Sequence, residues 1–356
     1  MKFFLKAWVC LFLFCILLVI LAMYSVSNVN EIDSVVDHKS LMSLQFLWSN
    51  ITMKRDFQIL NDGKYVYTLD LRQYREEFPY LQDYKCNKVS EPKNLCTRSA
   101  GFVNLILAIK SYPGSFDRRH ALRKTWAQPQ VIEDFLINPV FLMATTSNHT
   151  EMILVEKEML KYQDIILWDF MESHANLSLK ELCFLEWMMY NCVTDFVFKG
   201  DDDGFVYPPA IVKYLKRTPN VTSYVHGNLR VHSKVFRKGK YQISRHLYSM
   251  NVLPTFVSGG GFIIPGILIP SLYRAATVLP VFPLDDVYFG FLAIKANVIL
   301  KHGHGFYCFG LKFDACKYRN ALIVHNIIEN SAKGISPRTL LNVWGKVIKQ
   351  KNCKEV

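Results

Sequence analysis

The feature that most narrows the fold is the stretch Phe196-Val197-Phe198-Lys199-Gly200-Asp201-Asp202-Asp203-Gly204-Phe205-Val206. Phe196 to Phe198 form a short apolar, β-favouring run, and Gly200 with the aspartates stops it, which reads as a buried strand ending in a loop. Three consecutive carboxylates repel one another, so packing them at a strand end needs a counter-charge. A divalent cation, which takes hard oxygen ligands, supplies one. In open α/β sheets ligands sit at the carboxyl ends of strands, where this triplet falls. An isolated triplet would read as an acidic surface turn, but the apolar residues on both sides argue against that. The stretch therefore points to a metal site that also holds a diphosphate.

The residues around it alternate between strand and helix patterns, the signature of an α/β domain. Val103 to Ile109 reads as a buried first strand, Ser115 to Trp126 as a helix, Val140 to Thr145 as a strand and Glu151 to Tyr162 as an amphipathic helix. Ile165 to Trp168 is a third strand, and Ser178 with Glu181 has the spacing of a capping box that opens a helix to about Tyr190. Beyond the triplet, Pro209 to Lys216 reads as helix, Tyr224 to Asn228 as strand, and Pro337 to Lys349 as the final helix. Within Pro254 to Ile264 the run Gly259-Gly260-Gly261 strips packing side chains from a β-like segment. That suits either close approach of backbone to a ligand or a bulge. Arg119 and Arg123 share a helix face and could supply planar donors to a diphosphate or merely face solvent. Asp285 and Asp286 stand at a helix start, where carboxylates also act as capping groups. His325 ends a last strand, Ala321 to Val324.

The N-terminus sets the expected compartment. Lys2 and Lys6 precede an unbroken apolar run from Ala7 to Met23, at the short end of the roughly 17–25 residues that span a bilayer. The expected layout is a cytoplasmic tail at 1–6, a transmembrane signal-anchor at 7–23, a stem at 24–56 and a lumenal body at 57–356 with an accessory N-terminal region. A cleaved signal peptide is the alternative. Sequons at Asn50, Asn148, Asn176 and Asn220 and seven cysteines after the apolar run agree with an oxidising lumen. The odd count leaves one cysteine free or paired between chains, so homo- or hetero-oligomers stay open. Cys86 with Cys96, Cys183 with Cys192 and Cys308 with Cys316 are near enough in sequence to pair, though spacing does not fix connectivity. The net charge of +12 is scattered apart from short clusters at Arg118-Arg119 and Lys234 to Lys240, so no nucleic-acid arm is expected.

Five ordered blocks resemble the β-1,3-glycosyltransferases, the Golgi galactosyl- and N-acetylglucosaminyltransferases. They are Leu107 to Ser111 with Arg118-Arg119-x-x-x-Arg123-x-Thr125-Trp126, then Asp169-Phe170 with Asn176 to Lys180, then Phe196 to Asp203, then Ser258 to Phe262, then Asp285-Asp286-Val287-Tyr288-x-Gly290. Lys-Gly before the triplet, Gly-Gly-Gly-Phe and Asp-Asp-Val-Tyr are most similar to the β-1,3-N-acetylglucosaminyltransferase branch. The resemblance implies a GT-A fold, a UDP-sugar donor, Mn²⁺ or Mg²⁺, and inversion at the anomeric carbon. It implies that Asp201, Asp202 and Asp203 hold metal and UDP with Asp203 as direct ligand, that His325 is the second metal ligand, and that Asp286 is the catalytic base. Gly259 to Gly261 would let donor and acceptor approach the backbone. The implied partners are UDP-GlcNAc and a galactose-terminated glycan on glycoprotein or glycolipid. UDP-galactose transfer and a catalytically silent lumenal binding protein are the alternatives. His174 departs from the family, which usually has an aromatic residue there, and Cys308 and Cys316 are read as a lineage-specific bridge.

Overall fold

The computed structural model describes residues 56–97, 99–328, 334–350 and 352–353. The apolar run at 7–23 and the stem lie outside these residues. Among the described residues no helix is long and apolar enough to cross a membrane.

The body opens with an antiparallel hairpin, β1 (Phe57–Asn61) and β2 (Val66–Asp70), followed by helices α1 (Leu71–Glu77) and α2 (Pro79–Asp83) and strand β3 (Lys88–Ser90). Next come β4 (Val103–Lys110), α3 (Phe116–Arg123), β5 (Gln130–Ile132), β6 (Phe135–Thr145), α4 (His149–Tyr162), β7 (Ile165–Met171), α5 (Leu177–Asn191) and β8 (Phe196–Asp201). The remainder holds β9 (Phe205–Val206), α6 (Pro208–Arg217), β10 (Tyr224–Arg230), β11 (Phe256–Pro265), α7 (Ile269–Val278) and α8 (Asp285–Lys295). It ends with β12 (Ile299–His302), β13 (Phe306–Tyr307), α9 (Ala315–Tyr318), β14 (Ile323–Val324) and α10 (Pro337–Lys349).

One mixed sheet carries the body, in the order β12-β10-β11-β8-β4-β6-β7-β3, with β5 paired to β6. The strands β8, β4, β6 and β7 run parallel. The chain lays β6 and β7 to one side of β4, then returns to place β8 on the other. The crevice between the carboxyl ends of β4 and β8 is thus a topological switch point, where α/β sheets bind ligands. Both faces of β4 are covered, which is why its sequence is apolar without a break from Leu105 to Ile109. Ile106 and Ala108 face a core shared with α5, α7 and α8. Leu105, Leu107 and Ile109 face a second core shared with α3, α6 and α10.

Ser178 and Glu181 are not a capping box. The residue before α5 is Asn176, and Ser178 and Glu181 are buried inside the helix, Glu181 in an ion pair with Lys199. The cysteine pairs also differ from sequence neighbours. The bridges are Cys86–Cys183, Cys96–Cys192 and Cys316–Cys353, and Cys308 is a buried thiol. Cys183 lies inside α5 and Cys192 at its end. At about 1.5 Å per residue a helix separates such positions by more than the ~7 Å that a disulfide allows between Cα atoms. Each therefore takes its partner from the segment that runs alongside the helix.

The glycine run belongs to β11, where Gly261 pairs with Gly200 of β8. On the other side the ladder jumps from Phe262 to Val257 while β10 advances only from Gly227 to Leu229. The glycines therefore bulge out of the sheet, and the bulge opens beside the switch point. A three-stranded sheet, β13-β14-β9, closes the same end. Pairing of Val324 with Phe205 brings the end of β14 next to the acidic triplet.

Candidate active site

Register places the site. Lys110 and Asp201 are Cα partners at the ends of β4 and β8. The Lys110 ammonium lies 2.9 Å from Asp201 Oδ1 and 2.6 Å from Asp285 Oδ2. One buried lysine thus joins the triplet to the acidic pair at the start of α8, though the two are far apart in sequence. Asp202 accepts a 2.7 Å hydrogen bond from the Ser111 hydroxyl. Burial pushes its carboxyl up to about 6, against that bond and Arg118. Asp203 turns the other way, and its Oδ1 lies 3.2 Å from Nε2 of His325.

A metal ion can be tested against these groups. Asp201, Asp203 and His325 each offer a ligand atom, all within 4.8 Å of one another. Asp203 Oδ1 and His325 Nδ1 are buried without a hydrogen-bond partner among the described residues. The close contact between Asp203 and His325 thus lacks hydrogen-bond geometry, and buried polar atoms are rarely left so. Two carboxylates and an imidazole fit a divalent cation, Mn²⁺ somewhat better than Mg²⁺. A Cβ on Gly334 would sit 1.9 Å from Asp203 Oδ2, so the chain can cross the triplet at that point only as glycine.

The two acids of α8 have opposite electrostatics. Burial would raise Asp285, but Lys110, and after it Lys199, hold it down to about 2. Asp286 is pushed up to about 7, first by burial and then by ionised Asp285. Its carboxylate accepts a 2.8 Å hydrogen bond from its neighbour's amide, Val287 N–H. Close to neutral pH it is poised to accept a proton, the property a general base needs. A Cβ on Gly259 would lie 3.5 Å from both Asp286 Cβ and Lys110 Nζ, and one on Gly260 would lie 3.6 Å from Cys308 Sγ and His325 Cδ2. Bare backbone at these two positions keeps the space between Asp286 and the Asp203–His325 pair open. Gly261 sits deeper, where its Cβ would press against the Phe198 ring. Burial pushes the Cys308 thiol up to about 12, so it is protonated and inert.

The structure gives Arg119 and Arg123 a task different from diphosphate binding. Arg119 is fully buried. It donates to Ser111, to the carbonyls of Tyr112 and Pro113, and to Glu158. Arg123 is spent on Glu158 and Asp164. The arginine at the site is Arg118, with Nη1 3.9 Å from Asp202 and 3.8 Å from Asp203. Adjacent helical residues point about 100° apart, so only one of Arg118 and Arg119 can reach the triplet. Sequence reasoning missed Lys110 as well. Its signal was a lysine directly after the apolar run Leu105 to Ile109 of a buried strand, a position that demands a buried counter-charge.

The α/β sheet thus gathers five carboxylates, a histidine and two basic residues at its switch point, the place where such sheets bind ligands. The Galactosyltransferase family model matches residues 117–304, and this chain belongs to that glycosyltransferase family. Its relatives include UDP-GlcNAc:betaGal beta-1,3-N-acetylglucosaminyltransferase 7 of Rattus norvegicus, 33% identical over 277 residues, which are 72% of this chain and 67% of the relative. N-acetyllactosaminide beta-1,3-N-acetylglucosaminyltransferase 3 of Homo sapiens is 30% identical over 313 residues, 83% of this chain and 79% of the relative. N-acetyllactosaminide beta-1,3-N-acetylglucosaminyltransferase 2 of Homo sapiens is 33% identical over 261 residues, 68% of this chain and 62% of the relative.

Proposed function

We propose that this enzyme transfers N-acetylglucosamine from UDP-GlcNAc, with inversion, to the 3-hydroxyl of a terminal galactose, within a GT-A fold in the Golgi lumen. The relatives' names supply the donor and linkage, and the raised carboxyl of Asp286 opposite the Asp201–Asp203–His325 group is the observation that carries the chemistry. Asp286 takes the proton of the acceptor hydroxyl. The freed oxygen attacks the anomeric carbon, and the bond from that carbon to the diphosphate oxygen breaks, so UDP leaves. Lys110 keeps Asp285 ionised, and ionised Asp285 keeps Asp286 basic enough to work near neutral pH. Asp203 and His325, with Asp201 beside them, would hold Mn²⁺ or Mg²⁺, which neutralises charge on the departing diphosphate when bound. Arg118 is placed to assist on the same side.

The test is UDP release and product linkage with UDP-GlcNAc and UDP-galactose, each with a neutral lactosamine acceptor, in Mn²⁺ and in excess chelator. The expected result is β-1,3-linked N-acetylglucosamine, lost in chelator and in Asp203→Ala. Product from UDP-galactose alone would replace the donor assignment. Release with neither donor would leave a silent binding protein. Full activity in chelator would remove the metal.

A further inference from the structure

Ser111 follows the last residue of β4, and its hydroxyl joins the acidic triplet to the buried charges behind it. Its backbone is fixed on both sides. Ser111 N–H donates to Leu142 O at 3.0 Å, and Ser111 O accepts from the Lys180 ammonium of α5 at 2.9 Å. Lys180 is itself held by Glu172, 2.7 Å away. The Ser111 hydroxyl accepts from Arg119 Nη1 at 3.0 Å. Arg119 is anchored from behind by Glu158 of α4, and Arg123 holds the other oxygen of Glu158 at 2.6 Å. Ser111, Lys180 and Arg119 are all buried. Two desolvated cations are weak evidence for stability. Here they converge on one serine.

A guanidinium only donates, so the Ser111 oxygen that accepts from Arg119 has its single proton left to give. Asp202 Oδ2 lies 2.7 Å away. The other acceptor in reach, Tyr112 O, is 3.5 Å away and already takes Arg119 at 2.6 Å. The proton therefore goes to Asp202, in a charge-assisted bond. That bond fixes the aim of one carboxylate among several. Asp202 is not in the Asp201–Asp203–His325 group that could hold a metal. Its second oxygen, Oδ1, lies 3.9 Å from Arg118 Nη1, the same atom that lies 3.8 Å from Asp203 Oδ2. With Oδ2 tied back to Ser111, the charge of Asp202 stays beside Arg118. A carboxylate free to swing there would enter the space proposed for the diphosphate and repel it.

We propose that Ser111 is a positioning residue for the nucleotide: held by Arg119 and Lys180, it ties Asp202 back beside Arg118 and keeps a negative charge out of the path of the donor's diphosphate. This deepens the donor assignment above and rests on it. The experiment is calorimetric titration of UDP in Mn²⁺, without acceptor, for the parent, Ser111→Ala, Asp202→Ala and the double variant, each with its melting temperature. Removing a partner that orients a ligand-binding side chain typically costs about 10–100-fold at metal sites, and Ser111→Ala is expected to raise the UDP Kd roughly tenfold. Once Asp202 is gone there is nothing left to aim, so adding Ser111→Ala to Asp202→Ala should change Kd by less than about twofold. In transfer assays the loss should fall on KM for UDP-GlcNAc and leave KM for the acceptor in place. An equal loss in both backgrounds overturns the proposal, because a direct contact from Ser111 to the nucleotide, or a general loosening of the turn at 111–113, does not need Asp202. So does a Ser111→Ala protein that binds UDP like the parent. Arg119→Lys keeps a cation for Glu158 and withdraws the bond to Ser111, so it should reproduce the Ser111→Ala loss. A folded Arg119→Lys protein with parental affinity overturns the part given to Arg119, and if that variant does not fold, the Ser111 and Asp202 cycle decides alone. A parent that binds no UDP defeats the nucleotide reading itself, whereas UDP binding with independent losses defeats only the positioning role.

Discussion

The smallest scale at which the site makes a prediction is the neighbouring acids Asp285 and Asp286. Asp286→Asn keeps the side-chain shape and removes the proton acceptor, so transfer should fall by about 10²–10⁴ while donor binding persists. Asp285→Asn removes one partner of Lys110 and should disturb substrate affinity or stability as well as rate. The parent's kcat/KM should rise with pH through the neutral range, because the base must be ionised in the free enzyme. Stability should run the other way. The folded state binds the Asp286 proton more tightly than the unfolded chain does. Its stabilising contribution is full below the unfolded value near 4 and is lost as pH rises through about 7. Thermal melts should therefore show Asp286→Asn more stable than the parent at pH 8, with the gap closing by pH 5. A variant that melts below the parent at pH 8, or that keeps most of its transfer rate, removes Asp286 from this role.

Among the elements, legibility followed burial. β4, β6, β7 and β8 were legible because strands covered on both faces must be largely apolar, although β6 starts at Phe135, five residues before the expected Val140, and β7 runs on to Met171, past the expected Trp168. The triplet, the glycine run, the acidic pair and His325 were legible as points of chemistry, and the fold brings them to one crevice. The β1–β2 hairpin was not seen, because its alternate residues are exposed and its periodicity is short. Nor was β14, only Ile323–Val324, recognisable as part of a separate small sheet. The disulfides were illegible for a different reason, since their partners are set by packing of the segment at 84–97 against α5. Cys86–Cys183 and Cys96–Cys192 each close long loops, and removing a native disulfide from a small secreted domain costs roughly 2–5 kcal/mol. Replacing Cys86 and Cys183 together by Ala should lower the melting temperature, and mass mapping of unreduced peptides should return these pairs. The body should also yield one thiol, Cys308, reactive only after denaturation. A thiol alkylated rapidly in the native protein would contradict its burial beside Gly260.

For the whole molecule, the prediction concerns which side of a membrane the body occupies. Lys2, Lys6 and the run from Ala7 to Met23 argue for a lumenal body. Protease added to sealed microsomes should then spare residues 57–356 until detergent is present, and digestion of the body without detergent would reverse the assignment. The small sheet β13-β14-β9 has a consequence in time as well as in space. Asp201 and Asp203 are made well before His325, whose place is fixed only when β14 pairs with β9. At about 5–20 residues per second the interval is on the order of ten seconds. Over that interval β10, β11 and β12 are added to the central sheet, and only at its end does the chain contain His325, the residue that would complete the proposed metal site. On the proposed reading, enzymatic competence would be withheld until the C-terminal segments have been threaded into place, and a chain released early, however well folded its core, should emerge without activity.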